Sequence, residues 1–301
     1  MTDSFPSGAF PYEAADLARF REVQRLAYDI AEEVAANLEI GMTEQDACDA
    51  IAAAQTARDV DQMFHHPFAW FGERTMLAPG WAQAGIEGGR GAKDQGGGFF
   101  PTETAIAEGT AVIVDLAPVV DGYCSDIGYS CVVGANDVYE ELLAGLAPMR
   151  DQLLAGVRAG RTLRDLYVEL DAVIADHGWV NCHQEYPDRA LGHRVMRLGP
   201  DPDRAGPIPG FGVAAGEGLV AAIMDAVEHE TCWPIWNDGE RADHRPTPGV
   251  WAVEPHIGRD GVGAKFEELM VVTDDDAYWL DDDLPHVRRW ASDLPDAEVK
   301  G

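Results

Sequence analysis

The chain has 301 residues, 46% hydrophobic and 9% aromatic, which suffices for one large domain or two small ones. Its formal net charge is −31, with lysine only at 93, 265 and 300, so the surface repels nucleic acid and anionic membranes. No apolar run is long enough for a transmembrane helix, and the N-terminus lacks the basic start and apolar stretch of a signal peptide, which makes a cytoplasmic protein the expectation.

Residues 13–39 carry Leu17, Phe20, Val23, Leu26, Ala27, Ile30 and Val34 at helical spacing, predicting a long amphipathic helix with Gly41 as its C-cap. Thr43 then opens a second helix as N-cap, with Asp46 three residues on. The glycine-rich stretch 85–99 has no preceding strand and no GKS/T ending, so it reads as a mobile lid or surface loop rather than a phosphate cradle. Residues 109–130 follow as strand-like sequence, then a helix over about 137–157. The stretch 159–170 repeats the pattern of 40–51, with Gly160, Thr162 and Asp165 standing for Gly41, Thr43 and Asp46. That repeat suggests two related halves about a pseudo-two-fold axis. An irregular insert, 199–218, precedes the strand-like 248–272. The acidic segment 274–283 reads either as part of a solvated surface or as a regulatory tail. Five scattered cysteines without a CxxC pair read as reduced thiols.

Two apolar runs, AVIVDL and VWAVEP, each plant a carboxylate, Asp115 and Glu254. Burying an unpaired carboxylate costs several kcal/mol or forces it to take up a proton. Each run leads into an Asp-Gly pair, the strongest short hairpin signal. A two-residue turn at Asp121-Gly122 sets Asp115 opposite Gly128 and Asp126 opposite Ala117. The two acids then share one face, roughly 7–8 Å apart at the backbone. A turn at Asp260-Gly261 sets Glu254 directly opposite Glu267, where like charges repel. Something cationic between the acids resolves both conflicts.

Of nine histidines, His65, His66, His177, His183, His229, His244 and His286 stand in polar or loop-like context, where a solvated ring is the expectation. His256 shares a strand face with Glu254. His193, in ALGHRVMRL, reads by itself as a core histidine.

The ordered set Asp115, Asp126, His193, Glu254 and Glu267 resembles the metal ligands of the methionine aminopeptidase, prolidase and creatinase superfamily, the M24 metallopeptidases. The likeness runs from about residue 15 to 273 through GMTE, VDLAPVVDGYCSDI, GH at 192–193, VEP at 253–255 and FEELMVVT. It implies an α+β pita-bread fold: two pseudo-two-fold halves with a curved antiparallel sheet covered by helices. It also implies a single catalytic-type domain over 1–301, without the extra N-terminal domain of prolidases. By the same resemblance Asp115 binds one ion, Asp126 and Glu267 bridge two, and His193 with Glu254 holds the second. The cofactor expected is two divalent ions (Mn, Fe, Co or Zn), which lower the pKa of a bridging water and polarise a carbonyl.

There are departures. The segment GHRVMRLGP has Arg194 and Met196 where the superfamily carries small residues, and Pro200 where it carries a second histidine. SDIGYS has Tyr129 where an arginine is usual, and the substrate-facing histidine before the first aspartate has its nearest stand-ins at His65 and His66. Candidate catalytic residues are therefore His256 and His66, and candidate substrate contacts are Arg194 and Trp233. The resulting expectation is a dinuclear metal-dependent hydrolase cleaving an amide or related C–N bond of a short peptide or small amino-acid-like molecule. A metal-dependent lyase or specialised-metabolite enzyme on the same fold, and a non-catalytic binding module, are the alternatives. A homodimer is the base-rate expectation.

Overall fold

Each half of the chain begins with helices that bury one stripe and then adds strands beneath them. The computed structural model describes residues 10–60, 62–77, 79, 98–197 and 233–292. Helix α1 (Ala14–Ala36) buries Phe20, Val23, Ala27, Ile30, Ala31 and Val34. It stops at Asn37, not at Gly41; the Asn37 N–H returns to the Val34 carbonyl and its amide to the Glu33 carbonyl, closing the last turn early. Gly41, at φ +93°, makes the turn into α2 (Glu44–Thr56). Thr43 and Asp46 form a reciprocal capping box there.

The strands of the first half are β1 (Gln62–Met63), β2 (Phe68–Phe71), β3 (Thr110–Leu116), β4 (Pro118–Val120), β5 (Tyr123–Cys124) and β6 (Ile127–Val133). They form two antiparallel groups, β1-β4-β5 and β2-β3-β6. Helices α3 (Asp137–Arg158) and α4 (Leu163–Asp176) open the second half. Gly160, at φ +72°, and the Thr162 cap bonded by the Asp165 N–H repeat the entry to α2, as the internal repeat predicts. Then come β7 (Val180–Asn181), β8 (Gly192–Val195), β9 (Ile235–Trp236), β10 (Gly249–Val253), β11 (His256–Arg259), β12 (Val262–Lys265), β13 (Glu268–Val272) and β14 (Ala277–Trp279), with α5 (Pro285–Ser292) last. They form β14-β13-β10-β8-β9 and β12-β11-β7.

Both Asp-Gly pairs turn the chain as their sequence predicts. Asp121 and Gly122 have φ +52° and +83°, and Asp260 and Gly261 have +52° and +81°, the left-handed pair that a two-residue hairpin turn needs. Asp115 is paired with Gly128, and Val253 with Glu268, so the register of both hairpins matches the sequence reading.

The acidic segment 274–283 is not a tail. Its Ala277–Trp279 pair with β13, and buried Asp281 meets Arg25. Helix α3 packs on β12 and β14, with Leu142, Leu146, Met149 and Leu153 in one apolar cluster with Trp251, Phe266 and Met270. A second cluster joins α1 and α2 to β2, β3 and β6. The described cysteines, Cys48, Cys124, Cys131 and Cys182, are free thiols. The glycine-rich stretch up to residue 97, the 199–218 insert, Pro200, His229 and Cys232 lie outside the described residues. No described helix is long and apolar enough to cross a membrane.

Candidate metal centre

The first hairpin brings Asp115 and Asp126 to one face, both at most 5% exposed. Across β3 from this hairpin, Phe68 of β2 pairs with Asp115, and the residues entering β2 carry His65 over the two acids. His65 Nε2 lies 3.0 Å from Asp126 Oδ1 and 3.2 Å from Asp115 Oδ1, while its Nδ1–H donates to the His66 carbonyl at 2.7 Å.

The second half supplies the rest. Just beyond β10, the Glu254 N–H donates to the Leu191 carbonyl at 2.8 Å. The Glu267 N–H reaches the Gly128 carbonyl at 3.2 Å, stitching the two hairpins together, and Tyr28 Oη donates to the Glu267 carbonyl at 2.7 Å. His193 on β8 stacks on Phe64 and sets Nε2 3.3 Å from Asp126 Oδ2. All five residues named by the resemblance therefore converge. Together with His65, their donor atoms fall into three overlapping groups, each with its members within 4.8 Å of one another: His65, Asp115 and Asp126; Asp126, His193 and Glu267; Asp115, Glu254 and Glu267.

The third group already has a cation. Lys265 Nζ donates to Asp115 Oδ2 at 2.7 Å, Glu267 Oε2 at 2.9 Å and Glu254 Oε2 at 3.0 Å. Burial alone pushes this ammonium toward the neutral form; Asp115, Glu267 and Glu254 outweigh it and hold its pKa well above the usual lysine value. Burial likewise opposes ionisation of Asp126, but His65 and His193 prevail and keep its carboxyl well below the ordinary range. His65 and His193 are raised in return, against their own burial. Glu267 goes the other way: burial, then Asp126 and Glu254, push it well up.

The remaining sequence candidates stand apart from these groups. His256 is fully buried and held at both ring nitrogens, by the Thr75 carbonyl at 2.6 Å and Tyr186 Oη at 2.9 Å. Burial and the Lys265 charge press its pKa well down, so the ring is neutral: Nε2–H donates to Thr75 and Nδ1 accepts from Tyr186. His66, half-buried, gives its carbonyl to His65. Arg194 follows His193 on β8 and so takes the opposite face, where Nη2 donates to the Pro248 carbonyl at 3.1 Å. Trp233 packs against the α3 cluster with Arg241 3.8 Å from its ring centre.

Two charged participants were not singled out from sequence. Lys265 had a signal, being two residues before Glu267 and hence on its side of the strand. His65 was named from sequence only beside His66, as a nearest stand-in for a substrate-facing histidine, because its approach to the acids depends on the β2–β3 pairing. His183 and His286, read as solvated, are buried, His183 against the Tyr167 ring edge and His286 against Glu268.

Carboxylate oxygens with two imidazoles are a donor set suited to divalent first-row ions. The group Asp126, His193 and Glu267 fits one, with His65 alongside. In the group around Lys265 the oxygens are engaged by the ammonium.

The family model for metallopeptidase family M24 matches residues 18–274. No curated protein matches. Among solved structures, the X-Pro aminopeptidase from Thermotoga maritima MSB8 is similar with a TM-score of 0.62 at 15% identity, over 90% of this chain and 62% of that one. The Xaa-Pro dipeptidase from Bacillus anthracis gives 0.61 at 18% identity, over 90% and 61%. The dipeptidase PepE from Mycobacterium ulcerans gives 0.58 at 19%, over 92% and 60%. The match thus spans about three-fifths of each solved chain, and at these identities the likeness speaks for the pita-bread fold. With the family match over most of its length and the acids and imidazoles gathered as described, the chain belongs to metallopeptidase family M24.

Proposed function

We propose that this protein is a metal-dependent hydrolase that cleaves an amide or related C–N bond in a short peptide or small amino-acid-like substrate. The observation that carries the reading is the convergence of four buried acids and two imidazoles from both halves of the fold, an arrangement with no structural purpose that apolar packing would not serve better. A divalent ion at this place would lower the pKa of a water bound to it and polarise the substrate carbonyl. Asp126, His193 and Glu267 are the residues that would hold it. His256 acts here as a positioning residue: neutral and locked, it fixes the Tyr186 ring, whose centre lies 4.9 Å from Lys265 Nζ. His66 supports His65 through its carbonyl. Arg194, on the face of β8 opposite His193, and Trp233, packed against the α3 cluster, take no part in this reading.

The test is a chelator-sensitive screen of X-Pro dipeptides, aminoacyl amides and small amino-acid derivatives with the Mn2+-loaded protein. Hydrolysis should vanish with chelator and return with Mn2+. Asp126→Asn should lower turnover by at least about 100-fold, more than loss of a group behind a ligand costs. Absence of turnover on all classes, or turnover indifferent to chelator, would overturn the reading.

A further inference from the structure

Lys265 is not a surface lysine folded inward. Its side chain is fully buried. Its backbone on β12 is pinned to β6 on both sides: the Lys265 N–H donates to Ser130 Oγ at 2.9 Å, and that hydroxyl donates to the Lys265 carbonyl at 2.6 Å. Gly128 clears its path. A Cβ at Gly128 would lie 2.2 Å from Lys265 Cε and 2.9 Å from Nζ, so any other residue there would push the ammonium aside. An ammonium has three hydrogens and no more. Here three carboxylates, from β3, the end of β10 and the start of β13, each take one. The aromatic face of Tyr186 adds to the same enclosure.

From this geometry we propose that Lys265 is a built-in cation standing where one of two divalent ions would otherwise sit, so that the centre takes up a single ion, at Asp126, His193 and Glu267. The proposal rests on the metal-dependent reading above and refines it. An ion bound to Asp115, Glu254 and Glu267 at the 2.0–2.2 Å typical of carboxylate ligands would have to share space with Nζ. Two cations in contact inside a buried pocket repel strongly, and the three acids cannot turn to both. His65 is different in kind: an imidazole ring nitrogen can itself be a metal ligand, whereas an ammonium has three hydrogens and no lone pair to offer. The fixed positive charge at Lys265 then does for the acids what a second ion does elsewhere, at a place where no exchangeable metal is needed.

Metal counting tests this directly. The chelator-stripped protein is dialysed to equilibrium against excess Mn2+ and the ions per chain are measured by elemental analysis. One ion per wild-type chain is the expected result, rising to two in Lys265→Met. Removing the ammonium leaves three acids without a counter-charge, so both proteins are folded with Mn2+ present, and Lys265→Gln replaces the methionine variant if that variant is insoluble. Two ions per wild-type chain would overturn the proposal and leave the hydrolase reading standing. One ion in wild type and in the lysine variants alike would overturn the role given to Lys265. No ion in wild type would overturn both readings.

Discussion

At Asp126 the two carboxylate oxygens face different imidazoles, Oδ1 towards His65 and Oδ2 towards His193. His65 also spans to Asp115, so it bridges two acids that would otherwise repel across the hairpin face. Without it Asp115 keeps only Lys265 and Asp126 only His193, so an ion at Asp126 loses part of its oriented ligand and a nitrogen neighbour. His65→Ala should weaken Mn2+ binding by at least tenfold, in the range that loss of orienting partners costs, with the far-UV circular dichroism unchanged. Calorimetric titration measures it, and an unaltered affinity would show that His65 is only a bystander. Of the residues at this centre, the four acids were legible because Asp-Gly turns fix their faces within about a dozen residues of chain. His65 was legible only as one of two adjacent stand-ins, His65 and His66, since it meets Asp115 from some fifty positions away and the local sequence does not say which ring turns inward. Lys265 shares a face with Glu267 two residues on, yet one of only three lysines in so acidic a chain has the look of a surface residue.

At the level of strands, β8 matters most for where His193 points. It lies between β9 and β10, with His193 opposite Ala252 and Gly192 opposite Val253. Gly192 has no room for a side chain: a Cβ there would sit 2.4 Å from the Ala252 carbonyl oxygen and 3.2 Å from the Val253 Cα. Those are backbone atoms that cannot swing away, so Gly192→Ala must lift β8 off β10. We expect a loss of about 1–3 kcal/mol in stability, the usual cost of overpacking, together with at least tenfold weaker Mn2+ binding because His193 moves with its strand. Urea denaturation and calorimetric titration read the two effects separately; a destabilised protein with wild-type affinity would mean that His193 is placed by something other than β8. Sequence showed the Gly-His pair but not the reason for the glycine, because the close neighbour is some sixty residues away. The helix caps at Thr43 and Thr162, by contrast, were readable, since every group they use lies within one turn. Gly41 was misplaced as the end of α1 because Asn37 closes that helix first.

Over the whole molecule the net charge of −31 sets a background that a neutral buried histidine can be measured against. His183 is enclosed between α4 and β11, with Tyr167 on its ring edge, the His256 N–H 3.4 Å from Nδ1, and Arg189 and Lys265 near enough to disfavour its protonation. Burial, the largest influence, pushes its pKa down to about 3, from an ordinary value of 6.5. Between those two values the unfolded chain binds a proton that the folded chain refuses, so stability rises with pH across that window and is lost as pH falls below 6.5. From pH 7.5 to pH 5 the loss traceable to this one ring is about 2 kcal/mol. The acids and the raised histidines of the metal centre also titrate over part of the range, and His256, lowered like His183, adds to the same slope. A comparison of two proteins removes those shared contributions. In His183→Gln the position no longer titrates, so its stability deficit against wild type should shrink by about 2 kcal/mol between pH 7.5 and pH 5 when both are unfolded in urea. Parallel curves for the two proteins over that interval would mean that His183 takes up its proton as readily in the folded protein as in the unfolded chain, and that the packing between α4 and β11 does not exclude charge.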